Sequence, residues 1–124
     1  MIIDDDVTLR KILVKIFKKI GFRNIREADN GQTAWAMILN TEVDLIITDL
    51  NMPGIDGLKL TRMIRSKPKY NNTPILVITG DDSKETIIKA VKSGVNGYII
   101  KPFKLDQILN KIEEVFKKPD PPST

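Results

Sequence analysis

A chain of 124 residues is the length of one domain, and with 41% hydrophobic and 29% charged residues it has the balance of a globular protein, not of a fibrous or unstructured one. It contains no cysteine and no histidine, which excludes disulfides, thiolate and imidazole metal sites, a histidine base and any phosphohistidine of its own. A metal site in this chain is therefore built from oxygen, which selects Mg²⁺, Mn²⁺ or Ca²⁺. The net charge of +4 is mildly basic, no apolar run is long enough to cross a bilayer, and no basic flank and apolar leader open the chain, so a cytoplasmic location is expected.

Strand-like and helix-like segments alternate along the chain. Met1-Ile2-Ile3 reads as a short first strand. Leu9, Ile12, Leu13, Ile16, Phe17 and Ile20 recur at three- and four-residue spacing and predict an amphipathic helix ended by Gly21. A short strand over 24–28 precedes a second helix over 32–39, then an apolar strand over 43–48 and a third helix over 58–65. Asp56 and Gly57 shape the start of that third helix.

Residues 74–79 are nearly all apolar, as a parallel strand covered on both faces should be. Asp82 is the expected N-cap of the fourth helix, with Glu85 reaching back in a capping box and Gly94 ending it. Residues 97–100 form the last strand, and Leu105, Ile108, Leu109, Ile112, Val115 and Phe116 set the last helix. The domain is expected over 1–118, with 119–124 a Pro-rich disordered tail or linker stub. Five strands alternating with five helices predict an α/β fold, a right-handed, doubly wound parallel sheet in three α/β/α layers whose ligands lie at the carboxyl ends of the strands.

The chemistry-bearing residues fall at those ends. Asp4-Asp5-Asp6 closes the first strand, Asp49 closes the third and runs into Leu50-Asn51-Met52-Pro53-Gly54, Thr79-Gly80 closes the fourth, and Lys101-Pro102-Phe103 closes the fifth. Two carboxylates about 4 Å apart repel by roughly 4 kcal/mol at an effective dielectric near 20. A sheet edge that gathers them needs a cation or a proton. Taken singly, Asp6 reads best as a cap for the first helix, Thr79 as a β-branched strand residue and Lys101 as a surface lysine. Their order and spacing give them joint meaning.

With all four elements in sequence, the chain resembles a response-regulator receiver domain, the CheY-like phosphoacceptor module, over nearly its whole length. The resemblance implies a flavodoxin-like (βα)5 fold with strand order 2-1-3-4-5. It implies that Asp49 accepts a phosphoryl group, assisted by Thr79 and Lys101. Mg²⁺, with Mn²⁺ as a substitute, is implied at Asp5, Asp49 and the main-chain carbonyl of Asn51, with Asp4 acting through water. Thr79 and Tyr98 are the implied switch pair, and Asn51 and Asp81 the positions that tune dephosphorylation. The implied donor is a sensor histidine kinase or phosphotransfer protein. The implied output is a partner protein or fused domain, met by the face of helix four, strand five and helix five, where Ile87 is the candidate contact.

Other classes fit less well. A haloacid-dehalogenase-type phosphatase also uses an aspartyl nucleophile, but position 51 is Asn where such an enzyme has its second acid. A degenerate, interaction-only receiver would lack Asp49, Thr79 or Lys101. No Gly-x-Gly-x-x-Gly follows the first strand, and no helix-turn-helix or basic aromatic cluster supports direct nucleic-acid binding. The lysines at 11, 15 and 18 read as a solvated helix face.

Overall fold

The computed structural model describes residues 1–116, so the Pro-rich tail expected over 119–124 lies outside the described residues. Elements alternate as β1 (Ile2–Ile3), α1 (Val7–Ile20), β2 (Glu27–Ala28), α2 (Gly31–Asn40), β3 (Ile46–Thr48), α3 (Gly57–Arg65), β4 (Ile75–Thr79), α4 (Lys84–Ser93), β5 (Gly97–Ile100) and α5 (Leu105–Phe116), with a 3₁₀ turn at Pro68–Tyr70 before β4. The strands form one parallel sheet in the order β2-β1-β3-β4-β5.

The pleat sends alternate strand residues to opposite faces. Ile2, Ile47, Leu76, Ile78 and Ile99 pack with Leu13 and Phe17 of α1 and Ile108 and Ile112 of α5. Ile3, Ile46, Ile75 and Val77 pack with Ala34 and Ile38 of α2, Leu60 and Ile64 of α3, and Ala90 of α4. These are the three layers expected of a doubly wound fold.

Side-chain caps set four helix starts. Asp6, Asn30, Asp56 and Ser83 each accept a hydrogen bond from the N–H three residues on. Ser83 takes the place expected of Asp82, because the Asp81 carboxylate accepts the Ser83 N–H at 2.9 Å and turns the chain one residue later. Glu85 consequently makes no capping box and instead pairs with Lys89 at 3.2 Å. Gly94 ends α4 with φ +107°, where an L side chain is strained, and a Cβ there would also come within 2.8 Å of Arg65.

Two strands are shorter than the segments expected for them over 24–28 and 43–48. Among the described residues β2 pairs only with β1, and β1 contributes only Ile2 and Ile3 to the ladder. Residues 24–26 and 43–45 therefore lie upstream of the paired region, and β2 and β3 begin at Glu27 and Ile46.

Candidate functional site: an acid cluster bridged by Lys101

Sheet register builds the site. Ile3 pairs with Thr48, which leaves Asp4 and Asp49 side by side one residue beyond the ladder. Thr79 pairs with Ile100, so Lys101 follows directly, and its N–H donates to the Thr79 carbonyl at 2.7 Å. Pro102 is joined to Lys101 by a cis peptide bond.

The Lys101 ammonium donates to Asp49 Oδ2 at 2.9 Å and to Asp4 Oδ2 at 3.2 Å. Asp49 Oδ1 accepts the N–H groups of Leu50 at 2.6 Å and Asn51 at 3.3 Å. Asp4 Oδ1 accepts the Asp6 N–H at 2.8 Å. Asp4 and Asp49 are buried and Asp5 is exposed, yet one carboxylate oxygen of each lies within 4.8 Å of the other two. Among the described residues, no buried side-chain nitrogen or oxygen lacks a partner.

One ammonium bridges two of the three clustered carboxylates. Burial pushes the Asp4 carboxyl above its usual range and the Asp49 charge adds to this, while the Asp6 N–H and Lys101 oppose it. Burial alone would lower the Lys101 ammonium. The hydrogen bonds and charges of Asp49 and Asp4 together outweigh burial and hold Lys101 above its ordinary value. The cluster thus has an excess of anionic oxygen in one place, all of it hard donors. That set suits a divalent cation such as Mg²⁺.

Gly57 controls where Asp49 sits. Its N–H donates to the Leu50 carbonyl at 2.9 Å, and a Cβ on it would stand 2.3 Å from the Asp49 carbonyl oxygen and 2.8 Å from the Leu50 Cα. Both obstacles are backbone and cannot swing aside. Gly57→Ala is expected to lose about 2 kcal/mol in urea unfolding, the cost of overpacking a tight contact. Gly80→Ala, at the same sheet edge but with open space around the added carbon, should leave stability nearly unchanged.

Thr79 is fully buried, and its Oγ1 accepts the Asp81 N–H over a long 3.4 Å. The Tyr98 hydroxyl donates to the Asp81 carbonyl at 2.6 Å. Desolvation, with smaller contributions from Asp81, Asp49 and Asp82, pushes the Tyr98 phenol up to about 12. A folded state that keeps this proton longer than the unfolded chain loses stability as pH rises from the usual 10 towards 12. The ultraviolet phenolate titration of the wild type minus that of Tyr98→Phe is expected to show a midpoint near 12. A midpoint near 10 would contradict the partly buried hydrogen bond to Asp81.

The expected residues thus fall into one edge: Asp4, Asp5, Asp49 and Lys101 in mutual contact or near it, Asn51 through its N–H, and Thr79, Asp81 and Tyr98 joined beside them. The Asp81 carboxylate is occupied by the Ser83 N–H, which holds it below the usual carboxylate range. The expected exposure of Ile87, the candidate output contact, is corrected. Ile87 is half-buried on the same side as Ala90, whereas Ile88 (52% exposed) and Val91 (61%) face outward. Arg10 was missed in the sequence, although it stands only six residues after Asp4 and reaches back to its carbonyl at 2.7 Å.

The family model for the response regulator receiver domain matches residues 1–113. The chain belongs to the response regulator receiver domain family. Among curated proteins, this receiver domain is 38% identical to chemotaxis protein CheY of Pseudomonas aeruginosa over 95% of each chain. It is 39% identical to CheY-3 of Vibrio cholerae, over 95% of this chain and 91% of that one.

Among solved structures it matches CheY4 of Vibrio cholerae with a TM-score of 0.86 and 28% identity, covering 93% of this chain and 95% of that one. It also matches a chain of the CheX–CheY complex with BeF3 and Mg²⁺ from Borrelia burgdorferi with a TM-score of 0.88 and 27% identity, covering 94% and 87%. The receiver domain is a phosphoacceptor signalling module of two-component systems and not a classical enzyme. Such domains bind Mg²⁺ through acidic residues and work with kinases and output partners. Among the described residues, no helix is long and apolar enough to cross a membrane.

Proposed function

We propose that Asp49 is the phosphoryl acceptor of this receiver domain, that Asp5, Asp49 and the Asn51 carbonyl hold Mg²⁺ with Asp4 acting through water, and that Lys101 and Thr79 bind the transferred group. One observation carries the reading: a single ammonium spans Asp4 and Asp49 at 3.2 and 2.9 Å while Asp5 completes a three-carboxylate cluster beside it.

Asp49 is presented for attack by its own backbone. The Leu50 and Asn51 N–H groups fix Oδ1, so the carboxylate cannot rotate away from the cluster. In the transfer, an Asp49 oxygen forms a bond to phosphorus as the bond to the donor breaks, and the released electron pair stays on the donor's imidazole nitrogen, or on the carboxylate when acetyl phosphate is used. The donor's histidine belongs to a kinase or phosphotransfer protein, since this chain has none. Bound Mg²⁺, or Mn²⁺ in its place, supplies neutralisation of charge on the phosphoryl oxygens. Lys101 leaves the Asp4–Asp49 pair to meet the new dianion. In hydrolysis, water attacks phosphorus and Asp49 is restored, with Asn51 and Asp81 flanking the water's approach.

The Asp81 peptide supports a switch through Thr79 and Tyr98. Its N–H is bonded to Thr79 and its carbonyl to Tyr98, so a Thr79 hydroxyl drawn towards the phosphoryl group disturbs the loop that holds Tyr98. β5 and α4 then present an altered face, on which Ile88, Val91 and Ile100 are the exposed apolar contacts for an output partner or fused domain.

Incubation with Mg²⁺ and acetyl phosphate is expected to add one phosphoryl group by intact mass, and EDTA should prevent it. No adduct with several phosphodonors would sink the reading, and catalytic turnover of a phosphate ester would replace it with a phosphatase.

A further inference from the structure

Arg10 is the fourth residue of α1, and only 16% of its side chain is exposed. A cation in the first turn of a helix lies at the unfavourable end of the dipole. Two acceptors offset that placement. Nη1 donates to the main-chain carbonyl of Asp4 at 2.7 Å, and Nε donates to Glu27 Oε1, at the start of β2, at 2.9 Å. A planar guanidinium serves two acceptors in fixed directions, which an ammonium does not.

These contacts complete the hold on Asp4. Its N–H donates to the Ala28 carbonyl at 3.1 Å, Oδ1 accepts the Asp6 N–H, Oδ2 accepts Lys101, and its carbonyl accepts Arg10. The carbonyl belongs to the peptide that joins Asp4 to Asp5. Asp5 is exposed, so the direction of its carboxylate depends on how firmly that peptide is fixed.

We propose that Arg10, oriented by Glu27, is a positioning residue for the divalent-ion site: it fixes the Asp4–Asp5 peptide so that the Asp5 carboxylate is aimed at Asp49. The inference rests on the reading of Asp4, Asp5 and Asp49 as an ion site. Charge and position make opposite demands here. As a nearby cation Arg10 repels Mg²⁺, so charge alone predicts that its removal tightens binding. Positioning predicts that removal weakens it.

Calorimetric titration of Mg²⁺ into the folded protein, well below its thermal midpoint, separates the two. Arg10→Met is expected to weaken Mg²⁺ binding about 10-fold, the effect typical of groups that orient metal ligands. Arg10→Lys restores the charge but not the fork and should remain weakened. Glu27→Met keeps Arg10 and removes only its outer partner. It should weaken binding less, and the double variant should bind no more weakly than Arg10→Met alone. Unchanged or tighter Mg²⁺ binding in folded Arg10→Met, or wild-type binding in Arg10→Lys, overturns the proposal. If Arg10→Met does not fold, wild-type affinity in Glu27→Met overturns it instead. Failure of the unsubstituted protein to bind Mg²⁺ overturns the ion site and this inference together, whereas normal binding there with no effect at Arg10 overturns the inference and leaves the site standing.

Discussion

Asp49→Asn takes up no phosphoryl group from acetyl phosphate in the presence of Mg²⁺, and it remains folded. An amide has no anionic oxygen to bond phosphorus, and its NH₂ presents hydrogens where a carboxylate presents a lone pair. The fold tolerates the change because the amide keeps an Oδ1 for the Leu50 and Asn51 N–H groups. Lys101 keeps Asp4, and one of two buried anions that share a single cation is gone. Urea unfolding should therefore place Asp49→Asn within about 1 kcal/mol of wild type, on either side. Phosphorylation that persists in the folded variant moves the acceptor to another residue.

Lys101→Met slows phosphoryl uptake by about 100-fold, the loss typical when one preorganised charge-stabilising group is removed. It also destabilises the protein by about 3 kcal/mol at neutral pH, because Asp4 and Asp49 are left buried without their cation. The pH dependence follows from the raised Asp4 carboxyl. An acid whose folded pKa lies above its unfolded value of 3.8 binds its proton more readily when folded, so the fold gains stability as pH falls through that window. The gap between Lys101→Met and wild type should narrow on acidification. At the other extreme, the raised Lys101 ammonium contributes stability that is complete below 10.5 and lost as pH climbs through its folded value. Unfolding curves across pH measure both limbs, and a gap that widens in acid would contradict the shared-cation account.

The site was legible because topology does most of its assembly. Asp4, Asp49, Thr79 and Lys101 each end an apolar strand, and parallel strands deliver their carboxyl ends to one edge whatever the details of packing. Strand lengths were less legible. The segments 24–28 and 43–48 fit strands, but a strand extends only as far as its neighbour, and β1 offers two residues. The Asp82 cap failed because a competing local bond, from Ser83 N–H to Asp81, cannot be ranked against it from sequence. Ile87 and Ile88 differ by one step of helix rotation, which the packing of Ala90 against the core decides. Arg10 was invisible for another reason: its partners are a main-chain carbonyl and a residue 17 positions away, neither of which leaves a pattern.

The position of the phosphoryl group decides whether Asp49 is the acceptor. Reductive trapping with borohydride converts an aspartyl phosphate to homoserine, which tandem mass spectrometry can place in the sequence. After treatment with acetyl phosphate and Mg²⁺, homoserine is expected at position 49 and at no other aspartate. Homoserine at position 4 or 5, or a stable phosphate on a hydroxyl residue with none at 49, would contradict it.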